Sequence, residues 1–339
     1  MKPPHDRKYD VFGIGNALVD ILAQVDESFI GLFGLKKGGM MLMDASEQGQ
    51  VLQHLESQSL QLASGGSAAN TMVAIAQSGG NGVYCGQVAH DLHGEFYRRD
   101  MQRAGILFPV ELAPEAALPT GTCVVLTTPD AERTMCTHLG ISTSLNENAI
   151  DWNLIGECRL SYVEGYLWDA PGPRAACVAT FEHSRRQGVQ AAFTFSDAFL
   201  VDRFPDDFQR IVCEYCDIIF CNADEIRRFY KEESLPVCVE KIGQQVNLAF
   251  VTDSENGCFV VERGQVTHVP GFPVWAVDTV GAGDAFAGGT LYGLAHGYPA
   301  PQAARWGNYL ASRVVSIIGA RLADSNFSER DSILNGQLA

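Results

Sequence analysis

The chain has 339 residues, of which 46% are hydrophobic and 19% charged, a composition typical of a globular protein with a sizeable core. Its 24 basic and 40 acidic residues give a formal net charge of −16, and no run of Lys or Arg interrupts that balance. Binding to nucleic acid or to an anionic membrane is therefore disfavoured, because both depend on clustered positive charge.

The polar N-terminal segment, Met1 to Asp10, has no apolar core, so we expect neither a secretory signal nor a transit peptide. No apolar run approaches the ~18 residues needed to cross a bilayer. Ten cysteines without a secretory signal predict a reducing, cytoplasmic location. The single Cys-x-x-Cys, Cys213 to Cys216, has no second ligand pair nearby. We interpret its thiols as packing groups rather than as a zinc or redox site.

Two apolar strands are predicted next, Tyr9 to Ile14 and Asn16 to Val25. The glycines between them lack the third glycine of a dinucleotide-binding fingerprint, and a strand rather than a helix follows them. This pattern argues against an NAD-dependent oxidoreductase. Asn16 and Asp20 interrupt the second strand with polar side chains. A turn Asn and an edge Asp explain them about as well as ligand binding does.

A glycine-rich helix entrance follows at Ser64 to Asn70, after a turn and strand at Lys36 to Met43 and a helix at Ala45 to Leu55. Its Gly-Gly pair leads into the small-residue helix 68–77, whose first amides are free to bind an anion. Asn70 adds a donor and an acceptor. A strand at Val83 to Val88 and a helix at Asp91 to Ala104 come next.

The character of the sequence changes between Ile106 and Leu139. Thr122 to Thr128 and Arg133 to Leu139 are rich in β-formers, and Pro129-Asp-Ala-Glu between them is a turn sequence. We expect this hairpin to join the earlier strands in a small sheet that stands off the main body. The segments are about 16–45 and 106–140, and the natural use of such a sheet is a lid.

From Leu160 onward, predicted strands and helices alternate. The strands are Leu160–Gly165, Gln190–Thr194, Ile218–Cys221, Leu248–Thr252 and Cys258–Val261, and the helices are Pro173–Gln187, Phe204–Cys213, Ala223–Tyr230 and Val237–Gln244. Such alternation predicts an α/β fold of three αβα layers with a mostly parallel central sheet. Ligands then bind at the carboxyl ends of the strands. One domain, 1–339, with the lid attached, is expected.

Residues 278–286, Asp-Thr-Val-Gly-Ala-Gly-Asp-Ala-Phe, carry the most specific chemistry. A strand-like segment, Phe272 to Val277, precedes them and a helix, Ala285 to His296, follows. The turn is expected to leave the amides of Ala282, Gly283 and Asp284 without intrahelical partners at the positive end of the helix, which forms an anion hole. A carboxylate placed there suits a general base, although an isolated Gly-x-Gly-Asp is more often a helix cap.

Residues 278–286 resemble the second signature of the ribokinase-like (PfkB) carbohydrate and nucleoside kinases. Gly65-Gly66 with Asn70 resembles the first signature, and Asn222-Ala-Asp-Glu225 resembles the family's Asn-x-x-Glu motif. The resemblance implies transfer of the ATP γ-phosphoryl group to a hydroxyl. Asp284 would be the base, beside Gly281, Ala282 and Gly283. Asn222 and Glu225 would hold Mg²⁺ through water. Considered without the other motifs, the same two residues are explained equally well by a helix capping box.

The nucleotide side of the resemblance is less regular. Thr252 to Gly257 is similar to the family's Thr-x-Gly-x-x-Gly loop, with Ser254 in place of the middle glycine. The expected ATP-binding residues are Asn222, Thr252, Ser254, Gly257, Gly281, Gly283 and Asn308. The resemblance also raises a monovalent-cation site, K⁺, on carbonyls such as those of Asp278 and Val280. Gly86 to Gly94 is interpreted as structural.

The start of the second strand, Gly15 to Asp20, is similar to the adenosine kinase-like branch. The expected acceptor-binding residues are Asn16, Asp20, Gly65, Gly66, Ser67, Asn70, Arg133 and Tyr166. Tyr166 would stack on a base, or else serve as a core aromatic. We therefore expect a nucleoside acceptor, adenosine first, with a ribokinase- or fructokinase-type sugar kinase as the alternative. A catalytically inactive binding protein on the same fold is the non-enzyme alternative. Both monomer and homodimer remain open.

Overall fold

The computed structural model describes residues 2–58, 60–114, 118–130, 132–323 and 328–337. Within them the chain forms an α/β fold with one sheet of eight strands and a second of five. The strands are β1 (Tyr9–Ile14), β2 (Leu18–Gln24), β3 (Met40–Leu42), β4 (Gln61–Gly65), β5 (Gly82–Cys85), β6 (Gly121–Thr127), β7 (Arg133–His138), β8 (Cys158–Glu164), β9 (Gln190–Thr194), β10 (Ile218–Asn222), β11 (Leu248–Thr252), β12 (Cys258–Glu262) and β13 (Gln265–Val269).

The helices lie between these strands and after them. They are α1 (Glu27–Leu32), α2 (Ala45–Gln53), α3 (Ser67–Gln77), α4 (Leu92–Arg103), α5 (Trp152–Gly156), α6 (Pro171–Gln187), α7 (Ala198–Arg203), α8 (Pro205–Arg210), α9 (Ala223–Tyr230), α10 (Leu235–Gly243), α11 (Ala282–Ala295), α12 (Ala300–Val315) and α13 (Arg330–Leu334). Among the described residues, none of these helices combines the length and apolarity that a membrane span requires.

The large sheet has the strand order β13-β12-β11-β10-β9-β8-β1-β5. All pairs from β11 to β5 are parallel, whereas β12 and β13 form an antiparallel edge. The inner strands are nearly continuous apolar runs because helices cover both faces of the sheet. Phe12, Phe193 and Phe250 are fully buried at its centre. The mostly parallel sheet is thus confirmed, while β13 was not predicted.

The small sheet has the order β3-β7-β6-β2-β4. Helices α1 and α2 cover one face through an apolar cluster that includes Ile21, Val51, Leu55 and Val124. The other face of the small sheet lies across a cavity from the carboxyl ends of the strands of the large sheet. The segments expected to form the small sheet, about 16–45 and 106–140, do not include β4. The second segment also begins before the small sheet does, because Leu107 pairs with Val83 beside the large sheet. Strand β4 is specified by its partner β2 rather than by its own pattern.

Hydrogen bonds pin the points where the chain passes from one sheet to the other. The hydroxyl of Tyr84 donates to the Asn16 carbonyl at 3.1 Å, and that of Tyr97 donates to the Gly65 carbonyl at 3.1 Å. Asp91 caps α4 and also accepts from Thr120, the residue before β6. The stretch from Gly86 to Gly94 therefore anchors the small sheet.

The segment from Phe272 to Val277 is not a strand, contrary to prediction. Pro273 cannot donate to a sheet ladder, and the edge strand β13 has already ended at Val269. The amides of Val277 and Asp278 donate instead to the carbonyl of Val315. This loop carries the chain from the sheet edge to the start of α11.

Candidate active site

Two connected cavities lie at the carboxyl ends of β8 to β11. The first has a volume of about 510 Å³ and lies between the two sheets. The second, of about 1120 Å³, lies between α12 and the loops that follow β11 and β13. Asn222, Thr252, Gly283 and Phe286 line both cavities, so a ligand in one can reach a ligand in the other. This is the edge at which α/β sheets bind ligands.

The turn into α11 forms the junction of the two cavities. Gly281 is the N-cap with φ +79°, and a Cβ there would lie 2.6 Å from the Ala320 Cα, so only glycine fits. The amide of Ala282 donates to the Thr279 carbonyl at 3.3 Å. Thr279 lies before the helix, so the Ala282 amide has no intrahelical partner, as predicted, but it is engaged within the turn. The anion hole is left with the amides of Gly283 and Asp284, which have no i−4 partner.

Asp284 lies at the floor of the first cavity with both carboxylate oxygens held. The Ser67 hydroxyl donates to Oδ1 at 2.6 Å, and Asn70 Nδ2 donates to Oδ2 at 2.9 Å. Burial raises the pKa of Asp284 to about 6, against the opposing effect of these two hydrogen bonds. A carboxylate with that pKa, fixed by two donors, is suited to accept a proton near neutral pH.

Asp20 is the polar side chain that β2 contributes to the same cavity. No hydrogen bond reaches its carboxylate from the described residues, which leaves both oxygens available to a ligand. Burial raises its pKa to about 6, and the charges of Arg321 and Arg133 oppose that rise. A Cβ on Gly65 would overlap this carboxylate. Gly65 is therefore needed to leave room for Asp20.

Gly66, with φ +100°, is the N-cap of α3. A Cβ on it would overlap the carbonyl oxygen of Asn16, so the two predicted acceptor-binding turns touch at this point. Asn16 itself is buried and lines the first cavity together with Gly66, Ser67 and Asn70. The structure thus brings together all the acceptor residues predicted from the two turns.

Glu164, at the end of β8, was missed in the sequence. Its carboxylate is fully buried and accepts from the amides of Asn16 at 2.6 Å and Ala68 at 2.7 Å. Burial raises its pKa to about 7. It ties the two acceptor-binding turns to the large sheet. A Glu in the last position of an otherwise apolar buried strand was the pattern that could have identified it.

Arg133 and Tyr166 line the first cavity, but each already has a protein partner. Arg133 Nη1 lies 3.1 Å from Asp278 Oδ2, and both side chains are buried. The Tyr166 hydroxyl donates to the Ser196 carbonyl at 3.3 Å, and its ring packs on Phe199. Tyr166 therefore has the contacts of a core aromatic and also lines the cavity, and its stacking on a base stays a prediction.

Asn222 and Glu225 form a capping box at the start of α9. Asn222 Oδ1 accepts from the Glu225 amide at 2.9 Å, and Glu225 Oε2 accepts from the Asn222 amide at 2.9 Å. Glu225 Oε1 accepts from Asn222 Nδ2 at 2.9 Å. Burial raises the pKa of Glu225 to about 7. The structural alternative is therefore present, and the same pair also lines the first cavity.

The loop after β11 lies along the second cavity. Ser254 has φ +50°, so the serine adopts the left-handed conformation that glycine adopts most readily. Gly257 has φ +92°. Asn308 Nδ2 donates to the carbonyls of Val269 at 3.1 Å and Pro270 at 3.2 Å. Asn308 thus shapes the cavity wall as well as lining it.

Asp278 accepts from the amides of Val280 at 3.0 Å and Gly319 at 2.9 Å, in addition to its contact with Arg133. Its side chain is therefore committed to the turn, and only carbonyl groups of this segment are left as cation ligands. Among the described residues, no cluster of three or more His, Cys, Asp or Glu side chains could hold a metal ion.

Comparisons with known proteins agree with this geometry. A model of the pfkB family of carbohydrate kinases matches residues 35–326. The chain is 34% identical to adenosine kinase from Sinorhizobium meliloti, whose crystal structure matches with a TM-score of 0.87 over 94% of this chain and 97% of that one. A probable sugar kinase from Rhizobium etli is 30% identical, with a TM-score of 0.89 over 98% of this chain and 100% of that one. Adenosine kinase from Schizosaccharomyces pombe is 25% identical over 93% of this chain and 96% of its own length.

Proposed function

The chain belongs to the pfkB family of carbohydrate kinases and is a phosphotransferase with a hydroxyl acceptor, and from that premise we propose that its acceptor is a nucleoside, adenosine first, and its donor ATP. The reaction would convert adenosine and ATP to AMP and ADP. Two of the relatives described above are adenosine kinases, which supports this choice. The acceptor itself is inferred from the first cavity.

The division of that cavity into a polar and an apolar side carries the proposal. Asp20 on β2 faces it near Asn16, Ser67 and Asn70, all polar. Across the small sheet, from β6 to the edge strand β3, the lining includes the apolar Val125, Met135, Met40 and Leu42. Strand β7 also contributes Thr137 and Arg133, and the guanidinium of Arg133 is already paired with Asp278. A free sugar carries hydroxyls around its whole ring and would leave many of them unpaired on the apolar side. A nucleoside has a polar ribose at one end and a flat base at the other. The faces of the base are apolar although its edge carries hydrogen-bonding groups, and apolar faces match this lining.

The geometry supports in-line transfer with Asp284 as the general base. Asp284 takes the proton of the acceptor hydroxyl, the hydroxyl oxygen bonds to the γ-phosphorus, and the bond to the β,γ-bridging oxygen breaks to release ADP. The Gly283 amide and the N-terminus of α11 stabilise the negative charge on the transferring group. Ser67 and Asn70 hold the carboxylate in place during the transfer.

Mg²⁺ fits this site as a companion of the ATP phosphates. Both Glu225 oxygens are used in the capping box, so Asn222 and Glu225 would reach the ion through water rather than directly. When bound, the ion neutralises charge on the β- and γ-phosphates. The carbonyls of Asp278 and Val280 stay a proposed K⁺ site, tested by comparing turnover in K⁺ with turnover in Na⁺.

The sugar-kinase alternative rests on Asp20, whose two free oxygens suit the paired hydroxyls of either a ribose moiety or a free sugar. The relative from Rhizobium etli, a probable sugar kinase, supports the same alternative. The two acceptor classes differ on the apolar side of the cavity, where a free sugar would place hydroxyls without partners and a nucleoside would place its base. An acceptor panel therefore separates them.

The experiment measures ADP release with ATP and Mg²⁺ over a panel of nucleosides and free sugars. We expect adenosine to give the highest kcat/KM, and the variant Asp284→Asn to lose on the order of 10²–10⁴ in kcat with its fold retained. Preference for ribose or fructose over every nucleoside would contradict the nucleoside proposal. Near-normal turnover by Asp284→Asn would contradict the role of the base, and no turnover by the wild type on any acceptor would contradict the kinase itself.

A further inference from the structure

Arg321 lies outside every motif discussed above, in the turn that follows α12. Its side chain is 16% exposed and reaches into the space behind the acceptor turns. Nε donates to Asn70 Oδ1 at 2.7 Å, and Nη1 donates to the Ser64 hydroxyl at 2.7 Å. The guanidinium therefore joins the edge strand β4 of the small sheet to helix α3.

The contact with Arg321 decides how the Asn70 amide is turned. A guanidinium has only donors, so the amide must present its oxygen to Arg321. Its nitrogen then faces Asp284 and donates to Oδ2 at 2.9 Å. The opposite orientation would set the amide nitrogen against the guanidinium and the amide oxygen against the carboxylate. Without Arg321, Asn70 would lose the constraint that excludes other orientations.

Ser64 holds the guanidinium in turn. The Ser64 hydroxyl donates to Asp100 Oδ2 at 2.7 Å, and its amide donates to the same oxygen at 3.0 Å. Arg321 Nη1 itself lies 3.8 Å from that carboxylate. A continuous path of hydrogen bonds thus runs from Asp100 through Ser64, Arg321 and Asn70 to Asp284.

We propose that Arg321 is a positioning residue for the phosphoryl transfer: it sets the orientation of Asn70, and Asn70 then holds the Asp284 carboxylate towards the acceptor hydroxyl. This inference deepens the function proposed above and requires only the phosphoryl transfer, not a particular acceptor. Arg321 acts through another side chain, and neither Gly-rich signature includes it.

The charge of Arg321 also acts on Asp284. Burial raises the pKa of Asp284, and the charge of Arg321 opposes that rise. Burial also raises the pKa of Asp20 and Glu164, and the nearby Asp284 adds to both shifts, so the ionised forms of these two carboxyl groups repel the Asp284 carboxylate in return. Removing the positive charge leaves only the hydrogen bonds from Ser67 and Asn70 to oppose burial and that repulsion. The pKa of Asp284 then rises, and a smaller fraction of the base is ionised at pH 7.

The test compares Arg321→Gln and Arg321→Lys with the wild type by kcat against pH, using the acceptor that the panel shows to be best. For Arg321→Gln we expect the plateau value of kcat to fall about tenfold, less than the loss expected when the base itself is removed. We also expect the acid limb of the pH profile to move up by roughly one pH unit. Arg321→Lys keeps the charge but not the planar fork. It should keep the acid limb and still lower the plateau. Arg99→Gln, on the exposed face of α4, is the matched control and should match the wild type.

A double-mutant cycle separates positioning from a general structural effect. If Arg321 acts through Asn70, then Asn70→Ala with Arg321→Gln should lower the plateau kcat no further than Asn70→Ala alone. Additive losses, or a wild-type plateau and acid limb in Arg321→Gln, would overturn the inference while the kinase assignment stands. If Arg321→Gln does not fold, Arg321→Lys decides, because an unchanged plateau in that variant contradicts the role of the fork.

Discussion

At the scale of single residues, the site contains four carboxyl groups whose ionised form is disfavoured by burial. Burial raises the pKa of Asp20 and Asp284 to about 6 and that of Glu164 and Glu225 to about 7. A carboxyl group with a raised pKa favours the folded state when protonated, and this stabilisation disappears as the pH rises through the folded-state pKa. The raised pKa values therefore lower the stability of the protein at neutral pH, and that of Asp284 suits its proposed role as the base.

Asp284→Asn should consequently stabilise the protein at pH 7.5 while it lowers kcat by on the order of 10²–10⁴. The new amide can accept from Asn70 with its oxygen and donate to the Ser67 hydroxyl with its nitrogen, so both partners stay satisfied. We expect the free energy of unfolding to rise by about 1–2 kcal/mol. The full pKa shift of Asp284 corresponds to ~3 kcal/mol, but the cavity admits water and screens the charge.

Urea denaturation of both proteins between pH 4 and 8 measures this effect. The stability difference should be largest above pH 7 and small near pH 4, where Asp284 is protonated in the folded state and about half protonated in the unfolded state, whose pKa is about 3.9. A difference that does not change with pH would show that the effect comes from packing and not from the ionisation of Asp284. The acid limb of wild-type kcat should lie near pH 6, since Asp284 must be ionised to act.

At the scale of elements, the first turn of α11 uses two glycines for opposite reasons. Gly281 has a left-handed φ, and a Cβ at this position would overlap the Ala320 backbone. The protein fold itself therefore requires glycine here. A Cβ on Gly283 would meet no protein atom within 4 Å. We infer that the open space beside Gly283 belongs to the transferring phosphate.

The alanine variants should therefore differ. Gly281→Ala should lower stability by roughly 1–3 kcal/mol, because of backbone strain and overlap with Ala320. Gly283→Ala should fold as well as the wild type, since alanine is the better helix former, but should lose on the order of 10² in kcat/KM for ATP through displacement of the phosphate. Thermal melts and ADP-release kinetics measure the two effects, and full activity in Gly283→Ala would exclude the phosphate from this position.

The loop after β11 offers a second test at this scale, because Ser254 adopts φ +50°. Ser254→Gly removes the strain of a left-handed serine, although glycine also gains freedom in the unfolded chain. We expect a net stabilisation of up to about 1 kcal/mol. Glu255→Gly is the matched control, since Glu255 has no positive φ, and it should destabilise. Destabilisation by both variants in a thermal melt would contradict the strain at Ser254.

At the scale of the whole molecule, the buried pair of Arg133 and Asp278 joins the small sheet to the turn before α11. Loss of one partner would leave the other charge buried without compensation. Arg133→Gln should therefore lower the free energy of unfolding by about 3–5 kcal/mol, and should increase amide exchange in β6 and β7 as the small sheet is released.

Arg98→Gln is the control for this prediction, because its pair with Glu95 lies at the surface, with side chains 39% and 25% exposed. Arg98→Gln should lower the free energy of unfolding by less than about 1 kcal/mol. Denaturation midpoints and hydrogen exchange of the two variants give the comparison. Equal costs for the buried and the exposed pair would show that Arg133 does not hold the small sheet to the signature turn.

Much of the fold could be predicted from local patterns. The bounds of β9, β11 and α9 match the predicted bounds because each is a short apolar or amphipathic run with turn or capping residues at its ends. The β4 strand could not be found this way, since it is short and half-exposed and depends on pairing with β2. The segment from Phe272 to Val277 has the composition of a strand but no partner to pair with.

The sequence by itself determined which chemistry the chain carries, because the residues of a glycine-rich turn and the carboxylate that follows it are contiguous, and their backbone geometry is local. Only the tertiary structure decided how that carboxylate is held. Ser67 lies 217 residues before Asp284, and Arg321 lies 251 residues after Asn70. An arginine in a C-terminal turn resembles any solvated surface residue until the fold brings an amide oxygen to it. Partner choice across such separations depends on which segments the two sheets bring together, and no local pattern encodes it.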